Sequence, residues 1–324
     1  MFWKLRSPAV FARCLAIDQS ISQSKSHNIA IDDPAILPVE ASRGAAMIKD
    51  IMVHLDGGSE DEFRLEYGQA IAAANQAHLI GVFTNSLPDL SIAMPFDGGA
   101  AAVVQAVSDL EEQARQEGNA AAKRLTERLT SLQATSELRR FDEIPGTMPI
   151  RVAEQARYAD LFVTTRPYGA GDEPVWLDLI EAVLFGSGRG LMIVPPGWHN
   201  HGPIQTVLVA WNGSREAARA LSEGLSFIEK ATRVAVLMIG PQTGAEAGSE
   251  IKAHLNRHGI VSEVITVESE GRRVADIVLE EAESVSADLI VMGGYGHTRL
   301  REQIFGGATL DMLTLADRPV LMAH

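Results

Sequence analysis

The stretch "ADLIVMGGYG", Ala287–Gly296, is an altered copy of an earlier one, "ADLFVTTRPYG", Ala159–Gly169. In each, an Ala-Asp pair opens a run of apolar and β-branched residues that breaks into glycine, proline and tyrosine. Apolar residues at successive positions are the pattern of a strand covered on both faces, as in a parallel α/β sheet. Two such strands with like surroundings imply that the chain contains one unit twice.

Reading outward from these strands extends the repeat. "MIKDIMVHLD", Met47–Asp56, followed by "DEFRLEYGQAIAAANQ", Asp61–Gln76, corresponds to "IQTVLVAWNGSREAARALSEGLSFI", Ile204–Ile228. Each is a strand and then an amphipathic helix; in the first helix Phe63, Tyr67, Ile71 and Ala74 recur at helical spacing. "AHLIGVFTN", "ELRRFDEI" and "LMIVPP" supply further strands of the first copy, with helical stretches expected at 103–132 and 148–157. In the second copy "TRVAVLMIG", "GIVSEVITVES" and "RPVLMAH" match them, and Val274, Ile277, Val278, Ala282 and Val285 mark a helix. The expected fold class is α/β: two tandem five-stranded parallel-sheet, Rossmann-like domains with helices on both faces. Proline, glycine and polar residues cluster in "PPGWHNHGP", Pro195–Pro203, which divides a domain at 47–197 from one at 204–324.

Residues 1–46 read differently. Segments such as "DQSISQSKSHN", Asp18–Asn28, have neither period, so this composition predicts a poorly ordered extension ahead of a natural start at Met47. The basic residues Lys4, Arg6 and Arg13 are not followed by the continuous apolar run of a targeting peptide. The net charge of −14 over 324 residues argues against a nucleic-acid partner, which would need clustered cations. Apolar residues fall in short runs, none of membrane-spanning length, and the single cysteine, Cys14, cannot form an internal disulfide. A cytoplasmic protein with small-molecule or protein partners, and no membrane or nucleic-acid partner, is the expectation.

In a parallel sheet, ligands bind beyond the carboxyl ends of the strands where the strand order reverses. The first strand of the second copy ends at Asn212, and its fourth ends in "GGYGHTRLREQIFGGATLDML", Gly293–Leu313. Gly293 and Gly296 would let a phosphate or ribose approach closely. Gly306, Gly307 and Ala308 would present backbone amides at the start of the next helix, with the positive end of its dipole behind them. His297 and Arg299 add donors, the guanidinium matching phosphate geometry. The ligand class these features predict is an anion, a nucleotide in particular.

This arrangement resembles the universal stress protein family, whose nucleotide-binding members carry Gly-x2-Gly-x9-Gly-(Ser/Thr) after the fourth strand. Gly293, Gly296 and Gly306 have that spacing, and the likeness runs over both copies, from about Met47 to His324. It implies a strand order of 3-2-1-4-5 and ATP, with or without Mg2+, held between the first and fourth strands. It further implies two copies paired through their last strands as an intramolecular pseudo-dimer, open to further homodimerisation, and a context of stress adaptation. Two departures matter in the second copy. Gly307 replaces the Ser or Thr of the motif, and Asn212 stands where the family has an aspartate, which the first copy keeps as Asp56. The first copy departs further: Arg166 and Pro167 replace glycine and its neighbour, and Asp172, Glu173 and Asp178 add negative charge. One competent site, in the second copy, is therefore expected, although Gly186 and Ser187 preserve a remnant of the motif in the first.

Plainer roles are open for several residues. Asn212 with Ser214, and Asp56 with Ser59, suit helix caps, and Ser59 and Glu62 have capping-box spacing. Trp211, Met238 and Met292 suit packing, and His54, His199, His201 and His324 lack metal-ligand spacing. No nucleophile-base-orienter set is visible, so at most slow ATP hydrolysis is expected of a regulatory protein that binds an adenine nucleotide and an unknown protein partner. The alternative is a nucleotide-free interaction scaffold using the extra segment from Pro88 to Val104. A remoter one follows from "DGGSED", from Asp56, which resembles the Ser-Gly-Gly-x-Asp-Ser loop of PP-loop ATP pyrophosphatases.

Overall fold

Ten strands and eight helices alternate along the described residues of the computed structural model, which are 48–89, 100–167, 175–199, 202–240, 245–296 and 307–324. The first half contains β1 (Asp50–Leu55), α1 (Asp61–Asn75), β2 (His78–Ser86), α2 (Ala100–Thr130), β3 (Ser136–Glu143), α3 (Met148–Ala156), β4 (Leu161–Thr165), α4 (Leu177–Gly186) and β5 (Gly190–Val194). The second half contains β6 (Thr206–Ala210), α5 (Arg215–Ile228), β7 (Arg233–Ile239), α6 (Ala245–Arg257), β8 (Ser262–Val267), α7 (Val274–Ser284), β9 (Leu289–Gly293), α8 (Ala308–Leu315) and β10 (Val320–Ala323). Met47, the sequence-based start of the first domain, lies outside the described residues, as do residues 1–46.

All ten strands form one sheet, in the order β3-β2-β1-β4-β5-β10-β9-β6-β7-β8. Each half thus has the expected 3-2-1-4-5 order, and the halves meet at β5 and β10, which pair antiparallel with Leu321 opposite Met192. The other strand pairs run parallel. The apolar runs read from the sequence are the central strands: every residue of β5 and β10 is buried. Side chains alternate between two cores, as the strand repeat of two requires. Ile51, Val53 and Leu55 join α1, α2, α5 and α6 in one core. Met52, Phe162 and Leu208 join α3, α4, α7 and α8 in the other.

The inward face of α1 differs from the expected one. Tyr67 and Ile71 are buried, but Ala74 is exposed and Phe63 half-buried, while Asp61, Arg64, Leu65, Gly68 and Ala72 complete the buried side. Two charged residues on the core side hid that face from a purely apolar reading. The Ser59–Glu62 capping box does not form either. The helix starts at Asp61, whose carboxylate accepts from the backbone N–H of Asp56 at 3.0 Å and Gly57 at 2.8 Å, and Glu62 turns outward to Arg128. A carboxylate that accepts two amides outcompetes a serine hydroxyl for the same turn.

Candidate functional site

Beyond the carboxyl ends of β6, β7 and β9 the second half opens into a cleft of about 510 Å³. Its apolar wall is made by Trp211, Leu237, Ile239 and Met292 with Val274 and Val278 of α7, and its other rim by Asn212, Gly293, Gly296, Gly307, Ala308 and Thr309. Val274 is 41% exposed, an apolar side chain left open where the cleft begins. Five of the eight sequence-derived site residues, Asn212, Gly293, Gly296, Gly307 and Ala308, therefore line one hollow. His297, Arg299 and Gly306 lie outside the described residues.

Local chemistry sets each position. The Asn212 side chain accepts the Ser214 N–H at 3.0 Å, and Ser214 in turn caps α5 by accepting the Ala217 N–H at 3.1 Å. Capping thus occupies the oxygens of both side chains, while the amide NH2 of Asn212 remains on an exposed residue at the cleft. At α8 the N-cap is Gly307, which brings no side-chain cap, and among the described residues no side chain accepts from the first amides of the helix. Thr309 is buried and accepts the Tyr295 N–H at 2.8 Å. Tyr295 was not singled out in the sequence. It holds a left-handed backbone (φ 52°) at the mouth of the loop, and its hydroxyl donates to Glu181 of α4 at 2.8 Å. Trp211 and Met292 do pack into the cores, as their residue types suggested, yet both also face the cleft.

Gly293 is needed for a different reason from the one its motif suggested. A Cβ there would come within 2.6 Å of the Ala217 nitrogen and 2.7 Å of the Glu216 carbonyl carbon. It is the start of α5, then, that excludes a side chain at Gly293. Gly296 is exposed and unstrained in this respect, with Glu216 Oε2 and Ser214 Oγ at 3.4 and 3.8 Å from such a Cβ. Burial pushes the Glu216 carboxyl up, but its own backbone N–H and Arg215, 2.8 Å away, outweigh this and hold it below the usual range. The negative charge beneath Gly296 is thus matched by a cation.

The first half closes the corresponding space with its own side chains. Asp56 has the local geometry of Asn212, accepting the N–H of the residue two places on, Gly58, at 2.9 Å. Where the second half has Ala210 the first has His54, and where α8 is capped by Gly307, α4 is capped by Trp176. The Trp176 indole donates to Asp56 Oδ2 at 2.9 Å and meets the His54 ring edge-on at 5.0 Å. Arg64, 2% exposed, bridges Asp56 at 2.9 Å, Asp61 at 2.7 Å and His54 Nδ1 at 3.1 Å, while His54 Nε2 meets Thr84. Burial and Arg64 drive the His54 pKa down to about 3, so the ring is neutral. Asp56, against the pull of burial, is lowered to about 2 by Arg64 and its hydrogen bonds.

Arg166, expected to obstruct a phosphate in this half, instead donates to the Thr314 carbonyl at the end of α8. Asp172 and Glu173 lie outside the described residues. The amides of Asp56, Gly57 and Gly58 are all taken by carboxylates, which leaves the "DGG" turn no donors of the kind a pyrophosphate loop uses.

Compared with known proteins, residues 203–324 match the model of the universal stress protein family. The second half of this chain is a universal stress protein domain. No curated protein sequence matches the chain. Among solved structures, a universal stress protein from Archaeoglobus fulgidus DSM 4304 superposes with a TM-score of 0.63 at 15% identity, covering 86% of this chain and 96% of its own. A putative universal stress protein from Pseudomonas aeruginosa UCBPP-PA14 gives 0.52 at 16% identity, covering 85% and 93%. At these identities the likeness is one of fold, and it spans both halves: the universal stress protein domain and the plugged half before it are built alike. Among the described residues, no helix is long and apolar enough to cross a membrane.

Proposed function

We propose that the universal stress protein domain binds one adenine nucleotide, ATP in the first place, and that the protein acts as a cytoplasmic regulator in a stress response. In this reading residues 47–197 and 204–324 are two domains of one origin, of which only the second keeps a ligand site. What carries the reading is the contrast at matched positions: Ala210 and Gly307 leave the second cleft open, where His54 and Trp176 fill the first. The open cleft joins an apolar slot suited to a base with the N-terminus of α8, where bare amides and the helix dipole favour phosphate. Its volume lies in the range of small-molecule sites. Mg2+ would be carried in on the phosphates. Among the described residues no three His, Cys, Asp or Glu side chains gather to hold a metal.

The test is melting with and without ATP, together with the mass of any nucleotide released from the purified protein by heat. At a thousand times its dissociation constant, ATP stabilises by about 4 kcal/mol, a rise of roughly six degrees for a chain of this size. Calorimetry is expected to give a stoichiometry of one. Gly296→Val should remove the shift and leave the unliganded melt near the parent's, since a Cβ there meets only ordinary contacts. No shift in the parent protein would favour the nucleotide-free scaffold, and two nucleotides per chain would refute the assignment of Trp176 as a plug.

A further inference from the structure

We propose that a second cavity, separate from the nucleotide cleft, binds a small monoanion with an apolar tail, of the medium-chain carboxylate type. This cavity, of about 350 Å³, lies where the C-terminal ends of α1 and α5 meet the segment leading into β6. Tyr67, Ile71 and Ala74 of α1 share its lining with Ile204, Phe227 and Lys230, none of which lines the nucleotide cleft. Tyr67, Ile71 and Phe227 are buried, so the body of the hollow is apolar. Its size is that of a small-ligand site, and such a site pairs apolar walls with a few polar groups that fix orientation.

The polar group here is cationic. Lys230 Nζ donates to the Asn75 side-chain oxygen at 2.5 Å, and Lys49 Nζ donates to the Asn75 carbonyl at 3.3 Å. Neither lysine makes an ion pair with a carboxylate among the described residues. Lys49 is accounted for by the carbonyl end of α1, where a cation is favoured. Among the described residues the Lys230 ammonium meets a neutral amide and no carboxylate, at the edge of an apolar hollow, in a chain whose acidic residues outnumber its basic ones by 42 to 28. Lys230 is the one charged side chain among the described residues that line the hollow, and a cation beside an apolar slot selects a single negative charge on an apolar body over a second cation. Tyr67 adds its ring to the apolar wall, its buried hydroxyl having no hydrogen-bond partner among the described residues.

The experiment is calorimetric titration of the full chain with decanoate, decanol and decyltrimethylammonium, each below its micelle-forming concentration. Decanoate is expected to saturate a single site about two- to fivefold more tightly than decanol, the range of a solvent-exposed ion pair, with the cation weakest. Lys230→Gln should erase the preference for decanoate over decanol while decanol still binds. Ala74→Trp, at an exposed helical position, should abolish binding of both with circular dichroism and melting near the parent's. ATP should leave decanoate binding unchanged, which separates this site from the nucleotide reading. The proposal is overturned if decanoate shows no saturable binding, if Ala74→Trp leaves it intact, or if the cation binds as well as the anion. Dimerisation that Ala74→Trp abolishes would assign the hollow to a second copy of the chain and overturn it too.

Discussion

A methyl group on Gly293 would have to displace the backbone of α5, not a side chain, because its nearest neighbours are the Ala217 nitrogen and the Glu216 carbonyl carbon. Gly293→Ala is therefore expected to destabilise the fold by about 1–3 kcal/mol, the range for overpacking. Urea denaturation measures it, and an unchanged midpoint would refute the packing argument. The buried group around Arg64 makes a prediction about pH. His54, lowered from 6.5 to about 3, favours the folded state above pH 6.5 and gives that stability up as the unfolded chain takes its proton. Asp61 shifts the other way, from 3.8 to about 6, through burial despite Arg64 and with the Asp56 charge adding to it. It is the folded state that protonates first there, so stability rises as pH falls from about 6 to 3.8. The two opposing uptakes nearly cancel over that window. Below 3.8 the lowered Asp56, at about 2, joins His54, and stability falls. His54→Gln should uncover the Asp61 effect, giving a protein whose urea midpoint increases from pH 6.5 to 4; a midpoint that still stays level would rule out this pairing. At this scale the spacing of Gly293, Gly296 and Gly306 was legible in the sequence, but the cause of Gly293 was not, since its obstacle lies 76 residues away on another element.

Two helix starts set the two halves apart. α4 is capped by Trp176, whose indole lies against Asp56 and His54, and α8 by Gly307, which with Ala308 and Thr309 lines the open cleft. Restoring the hydroxyl of the family motif with Gly307→Ser should strengthen the N-cap by a few tenths of a kcal/mol. A hydrogen bond from that hydroxyl to a charged phosphate would raise ATP affinity roughly tenfold. Unaltered affinity in calorimetry would place the phosphates elsewhere. The first half was expected to be closed by Arg166, Pro167 and added acidic residues, yet the group seen closing it is Trp176 with His54, Asp56 and Arg64. Asp56 was legible as the aspartate of the family motif, but Trp176, His54 and Arg64 have no sequence signature. Arg64 sits on a helix where a charge reads as solvent-facing, and only the convergence of β1, α1 and α4 shows that it is buried between two aspartates.

For the whole molecule the seam between β5 and β10 is the consequential feature. Leu191, Met192, Ile193, Val320, Leu321 and Met322 are at most 1% exposed, and their antiparallel pairing makes one sheet of two. A fragment of residues 203–324 would expose β10 as an apolar edge, a template for pairing. It is expected to dimerise through β10 in sedimentation measurements, and a fragment that stays monomeric at high concentration would refute this role of the seam. What the amino-acid order determined on its own was the repeated β-α-β unit and the glycine spacing after the fourth strand. These are written in local periods of two and 3.6 residues and in turn chemistry, which a chain carries whatever its tertiary surroundings. Tertiary structure alone decided which side chains fill the space in the first copy and why Gly293 can bear no side chain. Those depend on volumes and charges brought together from distant elements, and no local pattern encodes a distance between residues the chain has yet to fold together.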